Sequence, residues 1–322
     1  MVSTPLFVAE FTTNHMGNLN VLLRMAERAA QAGCTFIKMQ KKDVETFYAR
    51  EKLDAPYDSP YGHTYRDYRT VFEFGPEDFD RFDRRCRELG VGWFATVQDL
   101  ASLEFLLGHD LPLYKVASSN ARNRPFLEEV ARQVPRDRAL VISVGGSTLM
   151  QVEETLGLFP HHRVWLLHCV AQYPCPPEAL RLGNLEVLQD CFASDRVSVG
   201  YSGHEEGLAA SYAAVDLGAE MVERHFCLSR HSFVHHIECS LEPQEFHELV
   251  ETVRSGQALR GLYRDLPVEA FWSHFGMSEV EREFLVRQSY GKRFVGERSE
   301  FHDAPPPAEE LALGPEFGRH AA

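Results

Sequence analysis

Two lysines, two histidines and a set of hydroxyl side chains, each set at or just past the end of a short apolar run, are the residues here that could do chemistry. Read forward, these run ends carry Glu10, Lys38 and Gln40, Thr96, Lys115 and Ser118, Ser143, His168, Ser202 and His204, and Glu223 and His225. A lysine that ends an apolar strand is out of its ordinary solvated place. There it offers a point charge to phosphate or carboxylate, or an amine for a Schiff base. Lys38 and Lys115, ringed by Thr96, Ser118, Ser143 and Ser202, would cage a small dianion better than a neutral sugar. Any one of these hydroxyls could simply cap the next helix. Capping explains the whole set, with both lysines, less well. His204 (in GYSGHEEG) and His225 (in VERHF) follow neighbouring runs. Two such imidazoles can share a divalent metal and leave positions open for a substrate carbonyl. A lone histidine is more often structural, so the pair leaves both readings open. Glu10 ends the first run and could hold water bound to that metal.

The elements that must position these residues repeat at intervals of 20 to 30 residues. The segment 5–11 (PLFVAEF) is predicted as a strand, 18–32 as an amphipathic helix closed by Gly33, and 34–40 (CTFIKMQ) as the second strand. Further strands are predicted at 91–95, 113–117, 140–143, 164–168, 197–200 and 220–223. Helices between them include 76–89, 125–133, 148–158, 206–217 and 243–255. Eight such units make a (β/α)8 TIM barrel, with the strand ends opening on the face where such barrels carry active sites. An open doubly wound sheet is the alternative, but Thr-Thr-Asn-His-Met-Gly after the first strand is no dinucleotide fingerprint. A tyrosine-rich insertion at 41–75 is either a lid or a surface excursion. The reading divides the chain into a barrel (1–260) and an extension (261–322), with a helix at 277–288, a strand-like piece at 293–295 and a mobile tail from about 302.

Composition narrows the class of function. The 322 residues carry 33 Lys+Arg against 47 Asp+Glu, a formal charge of −14 that repels nucleic acid. No apolar run approaches the roughly 20 residues that span a bilayer, and the amino terminus lacks a secretory pattern. Seven cysteines with no CxxC pair suit reduced, mostly buried thiols in a cytoplasmic protein.

The stretches AEFTTNHMGN, IKMQ, YKVASSNARNRPFL, VISVGG, LLHCVAQYPCPPEALRL, VGYSGHEEG, LGAEMVERHF and CSLEP, in this order over roughly 7–245, resemble the sialic acid synthase family. That family joins phosphoenolpyruvate to a sugar aldehyde. The resemblance implies that Lys38, Gln40, Thr96, Lys115, Ser118, Ser143 and Ser202 bind phosphoenolpyruvate. It implies that His204 and His225 hold a metal, Mn2+ or Mg2+, and that Glu10 sits at the reaction centre. It places Asn120, Asn123, Tyr173 and His236 on the acceptor side. Three positions depart from the family pattern: Asn120 and His236 replace acids, and Gly203 replaces a third. An acceptor other than N-acetylmannosamine follows, giving a different 3-deoxy-2-keto acid. A complete antifreeze-like domain, the family's usual basis for a swapped dimer, looks absent. A homo-oligomer stays possible, and Arg66 and Arg69 of the insertion could close the pocket instead. A Schiff-base aldolase and a non-catalytic binder of phosphoenolpyruvate or a sugar phosphate are the competing expectations.

Overall fold

The protein, described from a computed structural model, is defined over residues 4–232 and 234–290. Eight parallel strands close into a barrel: β1 (Leu6–Glu10), β2 (Phe36–Lys41), β3 (Gly92–Val97), β4 (Leu113–Val116), β5 (Ala139–Ser143), β6 (Val164–His168), β7 (Val197–Gly203) and β8 (Met221–His225). Each runs next to its sequence neighbour, and β1 pairs with β8 with Glu10 opposite His225. The strand ends expected from the sequence hold to within a residue, except that β3, β7 and β8 extend through Val97, Gly203 and His225.

Side-chain alternation explains the barrel's contents. Inward positions stack in layers. Val8, Phe94, Leu113, Val141, Leu167 and Met221 form a buried apolar floor. One pleat further toward the strand ends stand Glu10, Lys38, Thr96, Lys115, Ser143, Ser202 and Glu223, all buried. Outward positions such as Phe7, Ile37, Trp93, Ile142, Leu166 and Val222 join the main core beneath the helices. Inside the floor Gly200 leaves no room for a side chain, because a Cβ there would lie 2.6 Å from the Met221 carbonyl oxygen.

The outer layer is α1 (Leu19–Gln31), α2 (Pro76–Leu89), α3 (Leu100–Leu107), α4 (Arg124–Gln133), α5 (Leu149–Gly157), α6 (Asn184–Phe192), α7 (Ala209–Asp216) and α8 (Pro243–Arg254). In α1 the Asn18 side chain accepts from the amides of Asn20 and Val21 and fixes the start. Leu22, Met25, Ala26 and Ala29 then form the buried stripe. α3 and α6 lay outside the sequence-predicted helices.

The 41–75 insertion is a small folded lobe. It has helices at Val44–Phe47, Arg50–Leu53 and Tyr65–Val71 and an antiparallel pair Pro56–Ser59 with Gly62–Thr64. Val44, Phe47, Tyr48, Leu53, Tyr65, Tyr68 and Phe72 give it its own apolar cluster. After α8 the chain returns across the barrel. Leu182 donates to the Ala270 carbonyl, and α9 (Glu279–Arg287) follows, capped by Ser278. The strand-like piece at 293–295 and the tail from 302 lie outside the described residues. Among the described residues no helix is long and apolar enough to cross a membrane.

Candidate active site

β1, β2, β4 and β8 bring four opposite charges together on the barrel axis. The Lys38 ammonium lies 2.8 Å from Glu10 and 3.2 Å from Glu223. Lys115 lies 3.2 Å from Glu223 and donates to Ser143 Oγ at 2.7 Å. Ser202 donates to Glu223 at 2.9 Å, Lys38 to Thr96 at 3.2 Å, and Gln40 to Glu10 at 2.9 Å. Strand register accounts for the meeting. Glu10 pairs with Lys38, Thr96 with Lys115, and Glu223 with Ser202.

Burial and charge oppose each other here. Burial pushes Glu223 up, but the ammonium groups of Lys115 and Lys38 outweigh it and hold the carboxyl down to about 2. Burial would discharge Lys38, yet Glu10 and Glu223 carry it above its ordinary value. Lys115 is lowered by burial and by Lys38, against the pull of Glu223. Burial raises Glu10, with Glu223 adding to the rise and Lys38 opposing it. Two lysines and two glutamates sum to zero, so the axis is a neutral, preformed socket of two cations in which Glu223 serves both.

Glu223 was visible in the sequence only as a strand end and was absent from the expected ligand set. Its signal was parity: two residues before His225 on the same strand, it must face the same way. Parity also removes His168, which ends β6 pointing outward. Its Nε2 meets the Leu180 carbonyl at 2.9 Å, and burial lowers its pKa to about 4. His168 therefore does not share the cavity with the other strand ends. Ser118, in the loop after β4, accepts from the Gly145 amide at 3.0 Å and touches Cys169 Sγ at 2.9 Å.

The two histidines meet as the sequence led one to expect. Their ring centroids are 5.4 Å apart. His204 is anchored through Nδ1 to the Val170 carbonyl at 2.7 Å, leaving Nε2 unclaimed by that contact. His225 Nδ1 faces Cys239 Sγ at 3.7 Å. Burial lowers His204 to about 4 and puts His225 well below its usual value, so both are neutral, the form that ligates. This donor set fits a divalent ion with several positions left open. No group of three His, Cys, Asp or Glu that could hold a metal occurs among the described residues. The loop bearing His204 is fixed by Arg224, fully buried and ion-paired to Glu205 at 2.7 Å. An acid at 203 has no space in this packing, since a Cβ there would meet Glu205 Oε2 at 2.5 Å.

All four residues expected on the acceptor side touch the post-barrel segment. Asn120 donates to the Gln98 carbonyl and accepts from the Tyr290 amide at 3.0 Å. Asn123 donates to the Tyr290 carbonyl at 2.8 Å. Tyr173 packs on His204 at 4.0 Å, on His236 at 4.5 Å and on Phe284 at 4.8 Å. The His236 ring lies 6.0 Å from that of Phe284. Glu281, fully buried, accepts from the Ala171 amide and pairs with Arg181 at 3.2 Å, pinning α9 over the mouth. The sequence predicted the helix at 277–288 but not its docking across the mouth. Of the two insertion arginines, Arg66 faces away, paired with Glu45 and with Asp54 at 2.7 Å, while Arg69 turns inward. All seven cysteines are unpaired, five of them buried.

A closed eight-stranded parallel barrel with paired lysines, neutral imidazoles and hydroxyls at its carboxyl-terminal end defines the class: a (β/α)8 barrel with a polar site where such barrels carry their active sites. The comparisons make it particular. The NeuB family model matches residues 25–264, and the chain belongs to that family of sialic acid synthases. It is 33% identical over 315 residues to the N-acetylneuraminate-9-phosphate synthase of Drosophila melanogaster, covering 93% of this chain and 83% of that one. It is 29% identical over 264 residues to the N,N'-diacetyllegionaminic acid synthase of Campylobacter jejuni, covering 80% and 77%. The spore coat polysaccharide biosynthesis protein SpsE of Bacillus subtilis superposes with a TM-score of 0.72 at 26% identity, covering 88% and 78%.

Proposed function

We propose that this enzyme condenses phosphoenolpyruvate with a sugar-like aldehyde other than N-acetylmannosamine, giving a 3-deoxy-2-keto acid and phosphate. The observation that carries it is the juxtaposition of the Lys38–Lys115 pair with two neutral imidazoles on one barrel axis. Lys38, Lys115, Gln40, Thr96, Ser118, Ser143 and Ser202 orient the phosphate and carboxylate of phosphoenolpyruvate, taking over contacts that Glu223 makes in the free protein. Carbon 3 attacks the aldehyde carbon, and water adds at carbon 2. The carbon–oxygen bond to phosphate then breaks to leave the ketone. Water gives up a proton and the aldehyde oxygen takes one. Glu10, raised by burial, is placed to carry it. A divalent ion on His204 and His225 would supply Lewis-acid polarisation of the aldehyde oxygen. Preformed donors on a dry axis require little reorganisation as charge moves. A Schiff base on either lysine would require an ammonium to leave its carboxylate partners first.

The test is phosphate release from phosphoenolpyruvate with Mn2+, scanned over aldoses and amino sugars, with products identified by mass spectrometry. Release with one class of aldehyde, and no borohydride-trapped adduct, is the expected result. Failure of the native protein to bind or turn over phosphoenolpyruvate refutes the proposal.

A further inference from the structure

The loops after β4 and β5 are joined by one buried guanidinium. Arg122, in the loop after β4, is 4% exposed. Its Nη1 donates to the Gly145 carbonyl at 2.8 Å and to Ser147 Oγ at 2.7 Å, and its Nη2 donates to the Ser118 carbonyl at 3.0 Å. The planar fork of an arginine spans acceptors on two loops in this way, where the point charge of a lysine does not. Gly145 is held from both sides, since its amide donates to Ser118 Oγ at 3.0 Å. The packing leaves no slack: a Cβ at Gly145 would lie 2.7 Å from Cys169 Sγ and 2.9 Å from Ser118 Oγ.

This arrangement decides what Ser118 offers the axis. Burial raises the Cys169 thiol, so it stays protonated, with its Sγ 2.9 Å from Ser118 Oγ. The Gly145 amide and that thiol can both donate to the hydroxyl oxygen, which leaves the hydroxyl's own hydrogen for an anion. The Lys115 charge acts on the same thiol, so the Ser118–Cys169 contact borders the cation pair. Burial lowers Arg122 to about 10, against the pull of Glu281 on α9, and at neutral pH the guanidinium is charged. A buried charge is costly to place. Closure of the sheet does not require this one, because the pairing of β4 with β5 runs from Leu113 to Val116 and from Ala139 to Ile142, short of the loops that Arg122 bonds.

We propose that Arg122 is a positioning residue of the phosphoenolpyruvate site, clamping the loops after β4 and β5 so that the Ser118 hydroxyl stays aimed as a donor at the ligand's anionic oxygens. The proposal rests on the reading of the axis as the phosphoenolpyruvate site. Arg122 acts through Ser118 and Gly145 and does not itself touch the ligand.

The test uses the full-length protein with Mn2+ and no acceptor, and reads phosphoenolpyruvate affinity by calorimetry, Mn2+ affinity by spin resonance and amide exchange by mass spectrometry. Arg122→Ala should weaken phosphoenolpyruvate binding at least about tenfold, and Arg122→Lys at least about threefold. Mn2+ affinity should stay within about threefold of native in both, which also reports that they fold. Exchange should speed up at 118–121 and 144–147 and stay native at 204–225. Guanidinium ion, below the concentrations that unfold the protein, should recover most of the lost affinity in Arg122→Ala, and ammonium should not. Native phosphoenolpyruvate affinity in Arg122→Ala overturns the proposal. Parallel loss of phosphoenolpyruvate and Mn2+ affinity without guanidinium rescue also overturns it, since Arg122 would then serve stability alone. Phosphoenolpyruvate failing to bind the native protein refutes the reading of the axis instead. The clamp is then judged by exchange, and native exchange at 118–121 and 144–147 in Arg122→Ala overturns it.

Discussion

Replacing Glu223 by Gln should destabilise the free protein and sharpen its response to phosphoenolpyruvate. Glu223 is buried and faces Lys38, Lys115 and Ser202 at 3.2, 3.2 and 2.9 Å. Its carboxyl falls from an ordinary 4.5 to about 2, a shift worth about 3 kcal/mol of stability at neutral pH. Removing one partner of a buried pair carries a similar penalty, about 3–5 kcal/mol. The melting temperature should therefore drop by roughly 4–7 °C, measured by calorimetry or dye-free fluorimetry. A carboxylate with a lowered pKa stabilises above its unfolded value and loses that contribution as pH falls toward the folded one. The gap between native and variant should accordingly close between about pH 4.5 and pH 2. Phosphoenolpyruvate replaces the missing negative charge, so the shift it produces in melting temperature should be larger in the variant than in the native protein. A variant that melts with the native protein, or gains less from phosphoenolpyruvate, would refute the account of the axis as a socket filled by Glu223.

Other expectations are simpler. His204→Ala and His225→Ala should each weaken Mn2+ binding by at least about 100-fold in a spin-resonance titration while the circular dichroism spectrum stays native. Glu281→Gln removes a buried charge bonded to Ala171 and Arg181, and should lower stability by about 1–3 kcal/mol and speed amide exchange across 278–290. His15, His168 and His204 are all lowered by burial to about 4, so the unfolded chain takes up protons that the folded one refuses. Stability should fall as pH drops from about 6.5 toward 4, read as the urea midpoint, and His168→Asn should flatten that fall.

The barrel was legible because its signals are local. Each strand is a short apolar run, and each inward polar residue follows the pleat, so Glu10, Lys38 and Lys115 could be read from alternation alone. Glu223 obeyed the same rule and was passed over because His225, two places on, drew the assignment. His168 was overcounted because a strand-end position does not state which face a residue takes. α3 and α6 are short helices that did not stand out between the strand candidates. The strap was illegible for a different reason. Tyr290 meets Asn120 across 170 residues and Asn123 across 167, and no local pattern encodes such a contact. Lys42 likewise looks like an ordinary solvated lysine until the aromatic lobe folds around it, burying its ammonium 3.9 Å from the centre of the Phe47 ring.

The grip of Asn120 and Asn123 on Tyr290 also sets an order of events. A chain made from its amino terminus completes all eight strands before the segment that covers them is synthesised. Through that interval Asn120, Asn123, Ala171 and Arg181 lack the partners that residues 278–290 supply. Closure of the sheet and closure of the loops at its carboxyl-terminal end are thereby two separate events.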